Sequence, residues 1–132
     1  MRVIADTNLL VRLVVDDDAA QQRLCTKMLT QAEAVFVSVH ALCEMVWVLR
    51  SKYRVSRLDM ITAIEHICGI QNVVVDRPAA EAGLAAMRAG TDFADGVIAH
   101  QGRMAGGDTF VSFDRDAAKR LAGLGIRTKR LQ

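Results

Sequence analysis

The chain opens on a short apolar run, Val3 to Ala5, closed by Asp6-Thr7-Asn8. Leu9, Leu10, Leu13 and Val14 then recur at helical spacing, so this opening predicts strand, turn and helix. Asp16-Asp17-Asp18 breaks the pattern, and a second helix is expected from Ala19 to Ala32, with Leu24, Met28 and Leu29 on its apolar side. Val35 to Val39 is β-branched and aromatic enough for a second strand, and Ala41 to Tyr53 reads as a helix. Within Leu58 to Ile70, the residues Ile61, Ile64, Ile67 and Cys68 fall in phase on one helical face, and Asn72 to Asp76 carries the Val-Val-Val core of a third strand. Pro78 suits the first turn of a helix running to about Ala89 and ended by Gly90. Thr91 or Asp92 is placed to cap the next helix, which Gly106-Gly107 ends. Thr109 to Phe113 predicts a fourth strand, Arg115 to Leu121 a short helix, and Ile126 to Leu131 a last strand.

Short apolar strands alternating with helices need crossover connections, which are the mark of a parallel sheet covered on both faces. The expected fold is therefore a three-layer α/β/α sandwich with a central, mainly parallel sheet of four to five strands. Residues 1–132 are expected to form a single domain, since that length falls in the usual range for one core. Hydrophobic residues make up 52% of the chain and charged ones 24%, with one proline and no low-complexity run, so long disordered stretches are excluded. The formal charge of +2 is too small to mark a nucleic-acid binder, and any such role must rest on local patches. Cys25, Cys43 and Cys68 are odd in number, lack C-x-x-C spacing and sit among apolar neighbours, which suits reduced core thiols and points to the cytoplasm. No apolar run approaches the ~20 residues of a membrane span, and the amino terminus does not read as an export signal.

In open α/β sheets, binding sites form beyond the carboxyl ends of the strands, which is where chemistry is to be sought. Most of the fifteen acids fall on polar faces or near loops. Four do not: Asp6 ends the first strand, Glu44 lies inside Leu42-Cys43-Glu44-Met45-Val46-Trp47, Asp95 precedes Gly96-Val97-Ile98-Ala99, and Asp114 follows Thr109 to Phe113. Glu44 and Asp95 are expected in the first turns of their helices. Acids in apolar surroundings need a partner. No matching basic residues are interleaved with these four, so mutual repulsion would oppose their ionisation unless a cation joined them. Mg²⁺ or Mn²⁺, which prefer oxygen ligands, would do so, and phosphodiester hydrolysis is the chemistry such a site supports.

Each acid also has a purely structural explanation. Asp6 and Asp114 are placed to cap the helices that follow them, and Asp92 with Asp95 resembles a capping pair at a helix start. Glu44 would need a salt bridge, to Arg12 or Arg50. Four separate coincidences are then required, and the shared metal site is the simpler account.

Taken together, Ile4-Ala5-Asp6-Thr7-Asn8, Glu44, Asp92-Phe93-Ala94-Asp95 and Ser112-Phe113-Asp114 resemble a PIN domain, and more narrowly the VapC-type toxins of bacterial toxin-antitoxin pairs. The resemblance covers nearly the whole chain in length, element order and acid spacing, and the combination is far more specific than D-T-N alone. It implies a Mg²⁺- or Mn²⁺-dependent endoribonuclease, restrained by a VapB-like antitoxin whose tail occupies the active-site groove, and usually a homodimer. By position, Asp6, Glu44 and Asp95 would be the main ligands and Asp114 a fourth, often water-mediated, acid. Thr7, Asn8 and Ser112 match polar residues that support the carboxylates. Asp92 is either an outer ligand or a cap, and Asp116 is read as solvated. No departure from the pattern removes an acid.

RNA phosphates have two basic stretches to meet, Arg50-Lys52-Tyr53-Arg54-Arg57 and the group Lys119, Arg120, Arg127, Lys129 and Arg130. Met45, Trp47 and Val48 leave the Glu44 helix apolar nearly all round, which suggests a covering helix, dimer partner or antitoxin. His40, His66 and His100 show no ligand spacing and read as structural or exposed. Three rival readings remain. A receiver-like phosphoacceptor would show paired acids after its first strand and a lysine after a late one, whereas Asp6 precedes Thr7-Asn8 and Asp114 precedes Arg115. A phosphatase of the haloacid-dehalogenase type would want an acid where Asn8 stands. A catalytically silent binding module of the same fold is the third.

Overall fold

In the computed structural model, which describes residues 1–132, seven helices and five strands follow one another in the order the hydrophobic pattern predicts. They fall into two units, Met1–Asp76 and Arg77–Gln132.

The first unit runs β1 (Arg2–Ile4), α1 (Thr7–Val14), α2 (Ala19–Gln31), β2 (Ala34–Phe36), α3 (Val39–Ser51), α4 (Arg57–Gly69) and β3 (Val73–Val74). Its sheet has the order β1-β2-β3 and is parallel throughout, with Val3 opposite Val35 and Val35 opposite Val73. Each step between neighbouring strands is a pair of helices, as parallel pairing requires. Leu10, Val35, Leu42, Met45, Leu49, Ile64 and Ile67 are fully buried and form the core of this unit. The helices start on side chains that accept from the exposed first-turn amides: Asp6 from Leu9, Asp18 from Gln21, Ser38 from Ala41 and Ser56 from Asp59.

The Asp16–Asp18 run, which breaks the helical pattern, does two structural jobs. Asp18 caps α2, and Asp17 accepts from the Arg12 guanidinium, which also donates to the Tyr53 hydroxyl at 2.7 Å. The Tyr53 ring is flanked by Arg12 and Lys52, whose charged groups lie 5.9 and 5.3 Å from its centroid. At the other end of α2, the Asn72 amide donates to the carbonyls of Leu29 and Ala32 at 2.8 and 3.0 Å, so a side chain beside β3 satisfies the orphan carbonyls of a distant helix end.

The second unit runs α5 (Arg77–Arg88), α6 (Phe93–Met104), β4 (Phe110–Ser112), α7 (Arg115–Gly123) and β5 (Thr128–Arg130). β4 and β5 pair in parallel across α7, with Val111 opposite Lys129. Ala86, Ala99 and Leu121 form a buried cluster against which Phe110 and Ile126 pack. The glycines expected to end α5 and α6 do so: Gly90 and Gly106 have φ of 101° and 114°, a left-handed conformation that side chains with a Cβ rarely adopt. Helices alternating with parallel strands are the α/β class expected; the five strands are divided between a three-stranded and a two-stranded set. No helix is long and apolar enough to cross a membrane.

None of the three cysteines forms a disulfide, but only Cys68 is buried; Cys25 and Cys43 are half-buried rather than core thiols. Burial pushes the Cys43 thiol above its ordinary range. Since the thiolate is the nucleophile, iodoacetamide should alkylate Cys43 slowly near neutral pH and faster as pH rises past the usual thiol range. Peptide mapping by mass spectrometry against the denatured chain checks this; equal rates in folded and denatured protein at neutral pH would refute it.

Candidate functional site

Asp6 stands one residue past β1, after Ala5, and its Oδ1 accepts from the Leu9 amide at 2.9 Å as the cap of α1. The next residue reaches across to α3, where Thr7 Oγ1 donates to Glu44 Oε2 at 2.9 Å. The other oxygen, Glu44 Oε1, lies 2.5 Å from His40 Nε2, one helical turn away. The structure thus brings Thr7, His40 and Glu44 together and sets Asp6 beside Thr7 in the chain. Asn8, expected as a supporting residue, is exposed and hydrogen-bonds neither acid. Glu44 lies past the first turn of its helix, where it was expected, because Ser38 starts α3 at Val39 rather than at Ala41. The salt bridge to Arg12 does not form either, since that guanidinium is taken up by Asp17 and Tyr53.

In the second unit Asp95 sits in the first turn of α6, as expected, and its Oδ2 accepts from the hydroxyl of the buried Thr91 at 2.8 Å. Asp92 holds the N-cap position of α6 with no side-chain cap bond. Asp114 caps α7: its Oδ1 accepts from the amides of Asp116 and Ala117 at 2.9 and 3.0 Å, while its own amide donates to Ser112 Oγ at 3.0 Å. Asp116 is exposed in the first turn of that helix, in keeping with its reading as solvated.

Two residues were missed as carboxylate partners, Thr91 and His40. Each stands four places before its acid; for His40 that spacing sets both side chains on neighbouring turns of α3 and was legible in the sequence, whereas Thr91 precedes α6 and reaches Asp95 from outside the helix. The acids are also less buried than their apolar flanks suggest. Asp6 and Asp114 are exposed and Asp95 half-buried, because the end of a strand and the start of a helix open onto solvent even when the elements themselves do not, and Glu44 is exposed because it falls on the face of α3 that also carries the exposed His40 and Trp47.

Asp6, Asp95 and Asp114 each use one carboxylate oxygen in these bonds and leave the other able to accept a further partner. Anchored carboxylates of this kind are the donor set that suits hard divalent ions, which take oxygen ligands and keep several waters. Three or more His, Cys, Asp or Glu side chains do not stand close enough at any one point to hold an ion among themselves.

No individual curated protein matches the chain. A family model described as the PIN domain does, over residues 3–124, from the first strand to the end of the last helix and across all four acids. The chain therefore belongs to the PIN domain family, a nuclease-type fold.

Proposed function

We propose that this chain is a Mg²⁺- or Mn²⁺-dependent endoribonuclease that hydrolyses RNA phosphodiester bonds and acts as the toxin of a toxin-antitoxin pair, with Asp6, Glu44, Asp95 and Asp114 as its metal-holding acids. One observation carries the reading: within the span of the family match, each of these acids is fixed through a carboxylate oxygen by a cap, a hydroxyl or an imidazole. A divalent ion would supply Lewis acidity and neutralise charge developing on phosphate oxygens. The chain's own residues hold the carboxylates. Thr7 orients Glu44, Thr91 orients Asp95, and Ser112 fixes the backbone from which Asp114 projects. Asp92 serves as an outer acid, and residues 1–132 work as a single cytoplasmic domain.

The lysines and arginines of both basic stretches are exposed, which supports RNA phosphate binding. Partners are a VapB-like antitoxin and a second copy of the chain. Trp47, on the Glu44 helix, is 63% exposed, a large aromatic that a partner would cover. In the first unit, a cleft of about 1010 Å³ lined by Leu13, Val14, Leu29, Val55 and Ile67, with Thr26 and Thr62 among its polar residues, is as large as the biggest small-molecule sites and suits an amphipathic protein segment.

Incubation of a structured RNA pool with purified protein tests the activity. Cleavage is expected with Mg²⁺ or Mn²⁺ and is lost in EDTA. Cutting that survives EDTA would remove the metal from the reaction, and an absence of cutting under all conditions would favour the catalytically silent binding module.

A further inference from the structure

His40 and Glu44 stand four residues apart on α3, so their side chains leave the same helical face one turn apart. Thr7 holds Glu44 Oε2 at 2.9 Å, and the remaining oxygen, Oε1, faces His40 Nε2 at 2.5 Å. The imidazole is 83% exposed and the carboxylate 52%, so both are open to an ion arriving from solvent. An imidazole nitrogen and a carboxylate oxygen bound at right angles to one ion, each about 2.1 Å from it, lie roughly 3 Å apart. The pair is already close to that bite, and small rotations of two exposed side chains open it. Ligands four apart on a helix are a known chelating arrangement.

We propose that His40 is a metal ligand, and that His40 Nε2 and Glu44 Oε1 chelate one divalent ion in a way that makes this chain take Mn²⁺ in preference to Mg²⁺. The proposal rests on the reading of Glu44 as a metal-holding acid. It goes further in adding a nitrogen donor to an all-oxygen set. Mg²⁺ is a hard ion that demands oxygen and gives up its waters reluctantly, whereas transition-metal ions gain from imidazole. Thr7 contributes by occupying Oε2, which leaves Oε1, the oxygen on the His40 side, to bind.

The test uses untagged, metal-free full-length protein. Mn²⁺ is titrated while the free-ion signal is followed by electron paramagnetic resonance, Mg²⁺ affinity is read by competition, and the bound ion is examined for ¹⁴N coupling by electron spin echo. His40→Gln keeps a donor able to hydrogen-bond Glu44 but removes the imidazole. Wild type is expected to show imidazole ¹⁴N coupling. In His40→Gln that coupling disappears and Mn²⁺ binding weakens by at least about tenfold, while Mg²⁺ affinity changes by less than about twofold. Bound Mn²⁺ without ¹⁴N coupling, or coupling that persists in His40→Gln, overturns the proposal. If Glu44→Gln abolishes that same binding, the metal role of Glu44 survives. Mn²⁺ binding indifferent to Glu44→Gln, or no binding at all, overturns the proposal together with the reading of Glu44 on which it rests.

Discussion

Replacing Asp6 by asparagine should leave the fold intact while slowing RNA cleavage by about a hundred- to a thousandfold, the loss typical when one group that stabilises transition-state charge is removed. The two effects separate because Asp6 has two oxygens with two tasks. Oδ1 accepts from the Leu9 amide and starts α1, and asparagine performs that task as well as aspartate does. The negative charge that would hold a cation is lost. Asp6→Ala removes both, and should cost about 1 kcal/mol of stability in addition. Single-turnover cleavage rates in Mn²⁺, measured beside thermal melts of wild type and both variants, distinguish the outcomes. If Asp6→Asn cuts at the wild-type rate, Asp6 is a helix cap and nothing more.

The largest expected effect on stability lies in the second unit, at Gly96. A Cβ added there would stand 2.3 Å from the Ala82 carbonyl oxygen and 2.7 Å from Ala86 Cβ. The first neighbour is backbone, so relief requires α5 and α6 to move apart. Their seam has no slack: Ala79, Ala80, Gly83 and Ala86 are buried on α5, and the fully buried Phe93 ring fills the space over Gly83, where a Cβ would come within 2.4 Å of it. Gly96→Ala should destabilise the protein by about 1–3 kcal/mol or more, the usual range for overpacking a tight core. At this chain length that lowers the melting temperature by roughly 3–5 °C per kcal/mol. Gly102, on the same helix, has nothing within 4 Å of an added Cβ, and Gly102→Ala should stabilise by about 0.5–1 kcal/mol through helix propensity. A melt in which both substitutions shift stability the same way would contradict the close approach of α5 and α6.

Much of this arrangement is legible in the sequence because it rests on local physics. Gly90, Gly106 and the apolar periods mark where helices stop, and the aspartates at the ends of Val3–Ala5 and Thr109–Phe113 are placed to cap the helices that follow, as they do. Boundaries blur where one signal serves two elements. Val35 to Val39 reads as a single strand, yet pairing ends at Phe36, and Val37 and Val39 are buried for other reasons, one between elements and one as the first residue of α3. That overlap is what displaces Glu44 from its expected turn. The contacts that no local period encodes join distant positions: Arg12 with Tyr53, Asn72 with the end of α2, and Thr7 with Glu44. Thr7 shows the difference well. Its place after Asp6 marks it as a supporting residue, but only the fold shows that the acid it supports is on another helix.

The pairing order of the first unit also has a consequence for synthesis. Arg2–Ile4 is made about thirty residues ahead of its only sheet partner, Ala34–Phe36, and that strand in turn waits for Val73–Val74. At about 5–20 residues per second, the nascent strand spends on the order of two to six seconds with no neighbour, and the three-stranded sheet cannot close until roughly twice that interval has passed. Val3, which is half-buried in the fold, therefore waits for Ala34–Phe36 to complete its surroundings, whereas β4 and β5 are separated by a single helix and can join almost as soon as both have emerged.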